Sequence, residues 1–396
     1  MKNILIASYD LEIGGVEKSL LSMLEQFDFN KFNVDLMLYK HQGDLLPMLT
    51  EKVNLLNEIP QYASFRKSIG TLLKERNYTI AISRIIAKLQ GELIGRIMRF
   101  SEPGYYQMQL MWKYALEYLP EVEREYDLAI SYLWPHNFVA EKVKAKKRVA
   151  WIHTDYSTVD TNIQLDLQMW NKFHNIIAVS TECKKAFLVK YPSLEKKVIV
   201  LENITAPALV SELSKEKVDN PLKSDTRFKI NTVARLSHAK GIDNAINALK
   251  ILKAKGYQNI AWYVVGYGGD EASLRNLIKS HGLEEHFILL GKKINPYPFI
   301  KEADLYVQPS RYEGKAVTVG EAQILGKPVL ITNYPTARSQ VQDGLDGIIC
   351  ELSPEGLADS IELLYHNPQL RNRLSQYCQS IDYENHSQLD KLYQLV

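Results

Sequence analysis

Two rhythms of apolar residues alternate along this chain. Short unbroken runs are followed by longer stretches in which apolar positions return every third or fourth residue. The first run, residues 2–8, is broken by Gly14-Gly15, after which Val16, Leu20, Leu21 and Leu24 recur at helical spacing. Runs at 33–39, 127–133, 148–152, 175–180 and 197–202 predict further strands. A second series opens at 228: FKINTVARL predicts a strand, 242–255 a helix, AWYVVG a strand and 270–281 a helix. FILLG, DLYVQPS and KPVLIT complete it as strands. Strands alternating with helical stretches predict parallel, doubly wound sheets, so the fold class is α/β, in two series of similar architecture.

Between the two series lies 206–226 (APALVSELSKEKVDNPLKSDT), polar and weakly periodic, where an interdomain linker is expected. The domains are then 1–205 and 206–375, with a C-terminal helix at about 376–396 packing back on the first. Residues 61–120 fit the alternation least. They carry Arg66, Lys67, Lys74, Arg76, Arg84, Lys88, Arg96 and Arg99 against Glu75 and Glu92 up to residue 100. Interleaved are Ile69, Leu72, Leu73, Ile85, Ile86, Leu89, Leu93, Ile94, Ile97 and Met98. Two readings stand: a basic amphipathic helix on an anionic lipid surface, or a solvated helix packed on the first domain.

Composition narrows the setting. At 396 residues, with 46% hydrophobic and 24% charged residues, the chain suits two globular domains. A net charge of +2 gives no footprint for nucleic acid. Cys183, Cys350 and Cys378 are odd in number and far apart, which points to a reducing compartment. The opening apolar run is too short for a signal peptide and is followed at once by Asp10 and Glu12. No stretch reaches the ~20 apolar residues of a membrane helix. The expected location is cytoplasmic, with the inner face of the cell membrane as a peripheral option.

Several loops carry candidate chemistry. Gly14 and Gly15 join a strand to a helix, where glycine admits a ligand and helix N–H groups face an anion; a plain tight turn fits equally well. Arg235 and Lys240, in VARLSHAKG, lie between a strand and a helix, where α/β sheets bind ligands; two surface cations are the bland reading. In QPSRYEGKAVTVGEAQILGKPVL, a turn at Glu313-Gly314 leads into a helix containing Glu321. Backbone N–H groups of Gly314, Lys315, Ala316, Val317 and Thr318 would face phosphate or sugar oxygens, and the two carboxylates would take vicinal hydroxyls. Alternatively, Glu313 caps a helix and Glu321 is solvated. His153, in WIHTDY, is either a satisfied buried histidine or a site residue, with Asp155 placed to orient it.

The order of these motifs, R-L-x-x-x-K-G at 235–241, VVGYGGD at 264–270 and two glutamates eight apart at 313 and 321, resembles glycosyltransferase family four, of the GT-B fold. The likeness is firm over about 228–366 and looser over 1–205. It implies two Rossmann-like domains facing across a cleft and a retaining transfer from a nucleotide sugar, uridine diphosphate being the expected nucleotide. The transferred group would be a hexosyl or N-acetylhexosaminyl unit. By the same likeness, Arg235 and Lys240 hold the donor diphosphate, Glu313 and the 314–318 backbone meet the sugar, and Glu321 takes the ribose. Gly266 and the Lys292, Lys293, Ile294 edge lie near the nucleotide, Gly14 and Gly15 face the phosphates, and His153 faces the sugar. No metal or other cofactor is implied.

The likeness also suggests a carbohydrate acceptor, including a lipid-linked glycan of a surface polysaccharide; a soluble acceptor fits as well. Lys315 and Ala316, and the segment 333–338 (NYPTAR), depart from the family's common pattern. Two alternatives share the architecture: a catalytically silent nucleotide-sugar-binding subunit, and a nucleotide-sugar epimerase or hydrolase. A nucleotide-cofactor oxidoreductase, suggested by GYGG, lacks the full glycine fingerprint.

Overall fold

The computed structural model describes residues 1–100 and 104–396, with the side chains of Arg66 and Thr158 also outside the description. The chain forms two compact units: residues 1–204 with 386–396, and residues 205–385.

In the first unit, seven strands lie in the order β3-β2-β1-β4-β5-β6-β7. They are β1 (Lys2–Ser8), β2 (Phe32–Leu38), β3 (Asn54–Leu55), β4 (Val122–Ser131), β5 (Val143–Ile152), β6 (Asn175–Ala178) and β7 (Val198–Val200). All pairs are parallel, with Ile4 opposite both Val34 and Leu128. The last five residues of β1 are buried, as a strand covered on both faces requires.

The strands β4 and β5 are longer than their apolar runs. Their N-terminal halves, rich in Glu, Arg and Lys, are largely exposed yet stay in the ladder, where Lys146 pairs with Asp127 at 2.8 Å and Arg124 with Asp35 at 2.8 Å.

The second unit has β8 (Phe228–Val233), β9 (Ile260–Val265), β10 (Phe287–Gly291), β11 (Leu305–Gln308), β12 (Val329–Thr332) and β13 (Ile348–Cys350). Their order, β10-β9-β8-β11-β12-β13, reverses direction between β8 and β11, so the loops after these two strands flank a topological switch point. In the first unit the reversal lies between β1 and β4.

Two expected boundaries shift. The stretch 206–226 is not a free linker: Pro207–Leu213 is helical, and Val210 and Leu222 are buried in the second unit's apolar clusters. The returning segment begins at 386, not 376. The preceding helix Pro368–Ser380 stays with the second unit because Leu374 and Cys378 are buried there. In the first unit, Leu389 and Leu392 enter the core and Tyr393 stacks on Phe32, ring centres 4.8 Å apart. All three cysteines are buried free thiols. Among the described residues no helix is long and apolar enough to cross a membrane.

Candidate functional site

In the first unit, the loop after β1 ends in Gly14, whose extended backbone (φ −162°, ψ 163°) caps the helix Gly15–Glu25 without a side-chain acceptor. Glu17 is buried in that helix's first turn. A carboxylate at a helix N-terminus interacts favourably with the helix dipole, and it occupies the position an anionic ligand would also favour. The motif reading did not anticipate it.

His153 follows β5. Its ring lies 4.7 Å from that of Tyr132 and stacks at 7° on Trp151. Burial pushes the imidazole down to about 3, against an opposing hydrogen bond with the Tyr132 backbone, and Nε2 is buried with no hydrogen-bond partner among the described residues. His153 is therefore neutral at pH 7. Asp155, expected to orient it, instead starts the next turn and accepts from Ser157 N (2.9 Å) and Oγ (2.6 Å). Nearby His136 is likewise pushed down to about 3 by burial and hydrogen-bonds Ser131 Oγ through Nδ1 at 2.8 Å.

The second unit gathers most candidates on strand-end loops. Gly266, after β9, has its missing side chain explained by protein packing: a Cβ there would lie 1.8 Å from the Ala234 carbonyl oxygen. Gly268 is hemmed in the same way by Leu236, at 2.2 Å. The loops after β8 and β9 thus lie backbone to backbone, closed by Leu236 N donating to Tyr267 O at 2.9 Å. Arg235 stands exposed on the first of them. Across the adjoining β10 edge, the Lys292 ammonium sits 4.8 Å above the Tyr267 ring and Lys293 lies 5.7 Å from that of Phe299; Ile294 is exposed.

Lys240 is brought beside the loop after β11 by Gly241. Gly241 has φ +62°, and a Cβ on it would lie 2.0 Å from Pro309 O. Arg311 fastens the same two loops, donating to His238 O (2.7 Å) and to both oxygens of Asp243 (2.8 and 2.6 Å). The consequence is a contact that the motifs did not foretell. The Lys240 ammonium lies 2.7 and 2.6 Å from the two oxygens of Glu313, whose side chain is 7% exposed. Ser310 Oγ (2.6 Å) and Gln308 Nε2 (3.3 Å) donate to the same carboxylate, and Gln308 is held by Tyr306 at 2.8 Å.

Glu313 is therefore the acceptor of a small buried network, not a helix cap. Glu321 is buried rather than solvated and accepts from Tyr297 OH at 2.7 Å. Burial, and then the Glu321 charge, hold the Tyr297 phenol well above its usual range.

The helix Val317–Ile324 starts without a side-chain cap at Ala316. Gln340 instead receives the Ala316 N–H at 3.0 Å and donates to the Ala316 carbonyl, so one donor of the 314–318 backbone is already taken. Thr318 Oγ1 donates to Gln308 at 3.3 Å, linking this helix to the Glu313 network. The departing segment 333–338 buttresses the same turn: Thr336 Oγ1 donates to the Glu313 carbonyl at 2.9 Å, and buried Tyr334 reaches Gln340 at 3.2 Å. Neither Gln308, Ser310, Thr336 nor Gln340 carried a sequence signal beyond proximity to Glu313. Lys240, Glu313 and their supports thus form one cluster, Arg235 and Gly266 share the adjacent loops, and Glu321 sits on the following helix.

Residues 214–380, most of the second unit, match the family described as glycosyl transferases group 1. The resemblance to glycosyltransferase family four rests on residues inside that span. The chain is 28% identical over 208 residues to an uncharacterised glycosyltransferase of Methanocaldococcus jannaschii, covering 52% of this chain and 48% of the relative. It is 28% identical over 207 residues to the capsular polysaccharide biosynthesis glycosyltransferase CapM of Staphylococcus aureus, covering 50% and 54%. The matched stretch spans about half the length of these relatives.

Among solved structures, S. aureus TarM, in complex with UDP and other ligands, superposes with a TM-score of 0.69 at 14% identity, covering 100% of this chain and 99% of that one. Anabaena HepE in complex with UDP-glucose gives 0.67 at 18% identity, covering 100% of each. These likenesses show the fold, which is GT-B.

Proposed function

We propose that the chain is a retaining glycosyltransferase moving a hexosyl or N-acetylhexosaminyl group from a UDP-sugar to an acceptor hydroxyl. The observation that carries this reading is the Lys240–Glu313 pair, its carboxylate buried, set at the switch point within the stretch that matches group 1 glycosyl transferases and beside exposed Arg235. A nucleoside diphosphate leaving group needs charge stabilisation more than protonation. Arg235 and Lys240 would supply it as preorganised cations, with the remaining N–H groups at the start of the Val317–Ile324 helix. Glu313 and Glu321 would take hydroxyls of the sugar and the ribose.

In the proposed step, the bond from the anomeric carbon to the diphosphate oxygen breaks. The acceptor oxygen bonds to that carbon on the same face, and the acceptor proton passes to the departing phosphate. His153, neutral at pH 7, is read as a hydrogen-bonding partner of the sugar and not as an acid. With two cations assigned to the diphosphate, the reaction is read as metal-independent. UDP-sugar specificity draws support from the UDP-glucose complex of HepE, and a lipid-linked polysaccharide acceptor from the capsular role in CapM's name.

The test presents the protein with UDP-, GDP- and ADP-linked sugars, with and without EDTA, and follows product configuration by NMR. Selective UDP-sugar binding weakened by Arg235→Ala, with an unchanged anomeric configuration and no EDTA effect, is expected. Inversion, EDTA inhibition or binding of none of the donors overturns the corresponding part of the proposal.

A further inference from the structure

The helix Tyr78–Met98 lies on the first unit in an unusual orientation. Its buried face is built mostly of small residues, Ala81, Ser83, Ala87, Gly91 and Gly95, with Ile80 at its start. Gly91 lets the helix Gly104–Ala115 come close: a Cβ there would lie 2.4 Å from Gln107 Cγ. Apart from buried Ile80 and half-buried Ile94, the large apolar residues point the other way. Tyr78, Ile82, Ile86, Leu89, Leu93 and Ile97 follow at intervals of three or four residues, so they form one row along the helix. All are exposed, Leu89 at 64%, Leu93 at 63% and Ile97 at 70%. Isolated apolar residues on a surface need no explanation, but a continuous row marks an interaction face.

Charge identifies the occupant. Residues 69–100 carry six basic and two acidic side chains, a surplus of four, whereas the whole chain has a net charge of +2. Lys74, Arg76, Lys88, Arg96 and Arg99 are exposed, while the two acids are paired, Glu75 with Lys67 at 2.8 Å and Glu92 with Lys88 at 3.9 Å. We infer that this helix lies in the surface of an anionic lipid bilayer, with the Leu89–Leu93 row among the acyl chains and the cations at the phosphate level. An apolar row bordered by lysine and arginine suits that interface, where long basic side chains bury their stems and keep their charges in the headgroups. The helix is too polar to span the bilayer. Of the stretch 61–120 expected to meet lipid, residues 101–103 lie outside the described residues, and the face proposed here uses only 74–99. The inference stands apart from the transferase reading, since a silent binding subunit would use the same face.

The test is cosedimentation of the full chain, without donor or acceptor, with vesicles of phosphatidylcholine alone and of phosphatidylcholine mixed with phosphatidylglycerol. Binding is expected to the mixed vesicles and to fall at least about ten-fold in a Leu89→Ser, Leu93→Ser double variant. Lys88→Glu with Arg96→Glu should remove the preference for anionic lipid. These positions are exposed, so an unchanged melting temperature verifies that both variants fold. As a second readout, a tryptophan introduced by Ile86→Trp should be quenched by brominated lipid. Failure of the parent chain to bind either vesicle, or an unquenched tryptophan on bound protein, overturns the inference. So does sedimentation equilibrium showing a dimer that the double serine variant dissociates, which would make the row a contact between two copies.

Discussion

Replacing Glu313 with glutamine is expected to tighten nucleotide binding while depressing sugar transfer. In the parent protein the Lys240 ammonium is held by both carboxylate oxygens at 2.6–2.7 Å, with Lys240 25% and Glu313 7% exposed. A phosphate that takes this ammonium must compete with the carboxylate and is also repelled by it. Removing one partner of a fully buried pair costs about 3–5 kcal/mol, and the opening of Lys240 toward solvent brings this to about 1–3 kcal/mol here. If roughly half of that is lost from diphosphate binding in the parent, UDP should bind Glu313→Gln about three- to ten-fold more tightly. Glutamine keeps the shape and can still accept from Ser310. It gives up the charged contact proposed for the sugar, which should lower turnover about 10- to 100-fold.

Calorimetry with UDP and initial-rate assays separate the two effects. Stability supplies a third reading. Lys240→Met should lower the melting temperature by roughly 2–4 °C per kcal/mol lost, and adding Glu313→Gln should restore most of it through coupling of about 1–3 kcal/mol. If Glu313→Gln weakens UDP binding as much as Lys240→Met does, Glu313 aims the lysine at the phosphates instead of sequestering it, and the reasoning fails.

Further consequences can be measured separately. Tyr297→Phe removes the hydroxyl that donates to buried Glu321 and should cost about 1–2 kcal/mol in unfolding experiments; donor binding should weaken with little change in turnover, and an unaltered melt would refute the contact. His136 and His153 both have their acidities set by burial at about 3, below the ordinary ~6.5, so the unfolded chain binds protons that the folded chain does not between those values. Stability should therefore fall as pH drops from about 6.5 toward 3, by up to about 1.4 kcal/mol per pH unit for each histidine; His136→Gln should flatten the slope in urea titrations, and an identical slope would count against it. Gly266→Ala places a methyl group 1.8 Å from the Ala234 carbonyl oxygen, so soluble yield or melting temperature should drop sharply; a normally stable variant would show that the two loops separate easily.

The apolar runs marked eleven of the strands because a parallel sheet covered on both faces demands them. They missed β3, two residues long, and β13, three residues long, where a sheet edge needs too few apolar positions to stand out. They also shortened β4 and β5, since the polar N-terminal halves of these strands are selected by solvent and by cross-strand charge pairs. The polar stretch 206–226 read as a linker because only a few residues, such as Val210 and Leu222, anchor it. In the site, motif spacing drew attention to Lys240, Glu313 and Glu321, and the structure pairs the first two and buries Glu321 against Tyr297. Spacing could not show that Lys240 grips Glu313, because that contact depends on Gly241 passing 2.0 Å, in Cβ terms, from Pro309. Nor does any periodicity single out Gln308, Thr336 or Gln340, whose importance comes from three loops meeting in space.

The first unit is completed by residues made only after the second unit. Tyr393 fills the space between Phe27 and Phe32 and receives the Asp28 N–H at 2.8 Å, while Leu389 and Leu392 complete the same core. Residues 205–385 are synthesised in between. At ribosomal speeds of about 5–20 residues per second, the nascent first unit waits roughly ten to forty seconds with this apolar gap open. A ribosome that stalls in the second unit thus releases a first unit lacking its closing helix, a natural target for chaperones and proteases.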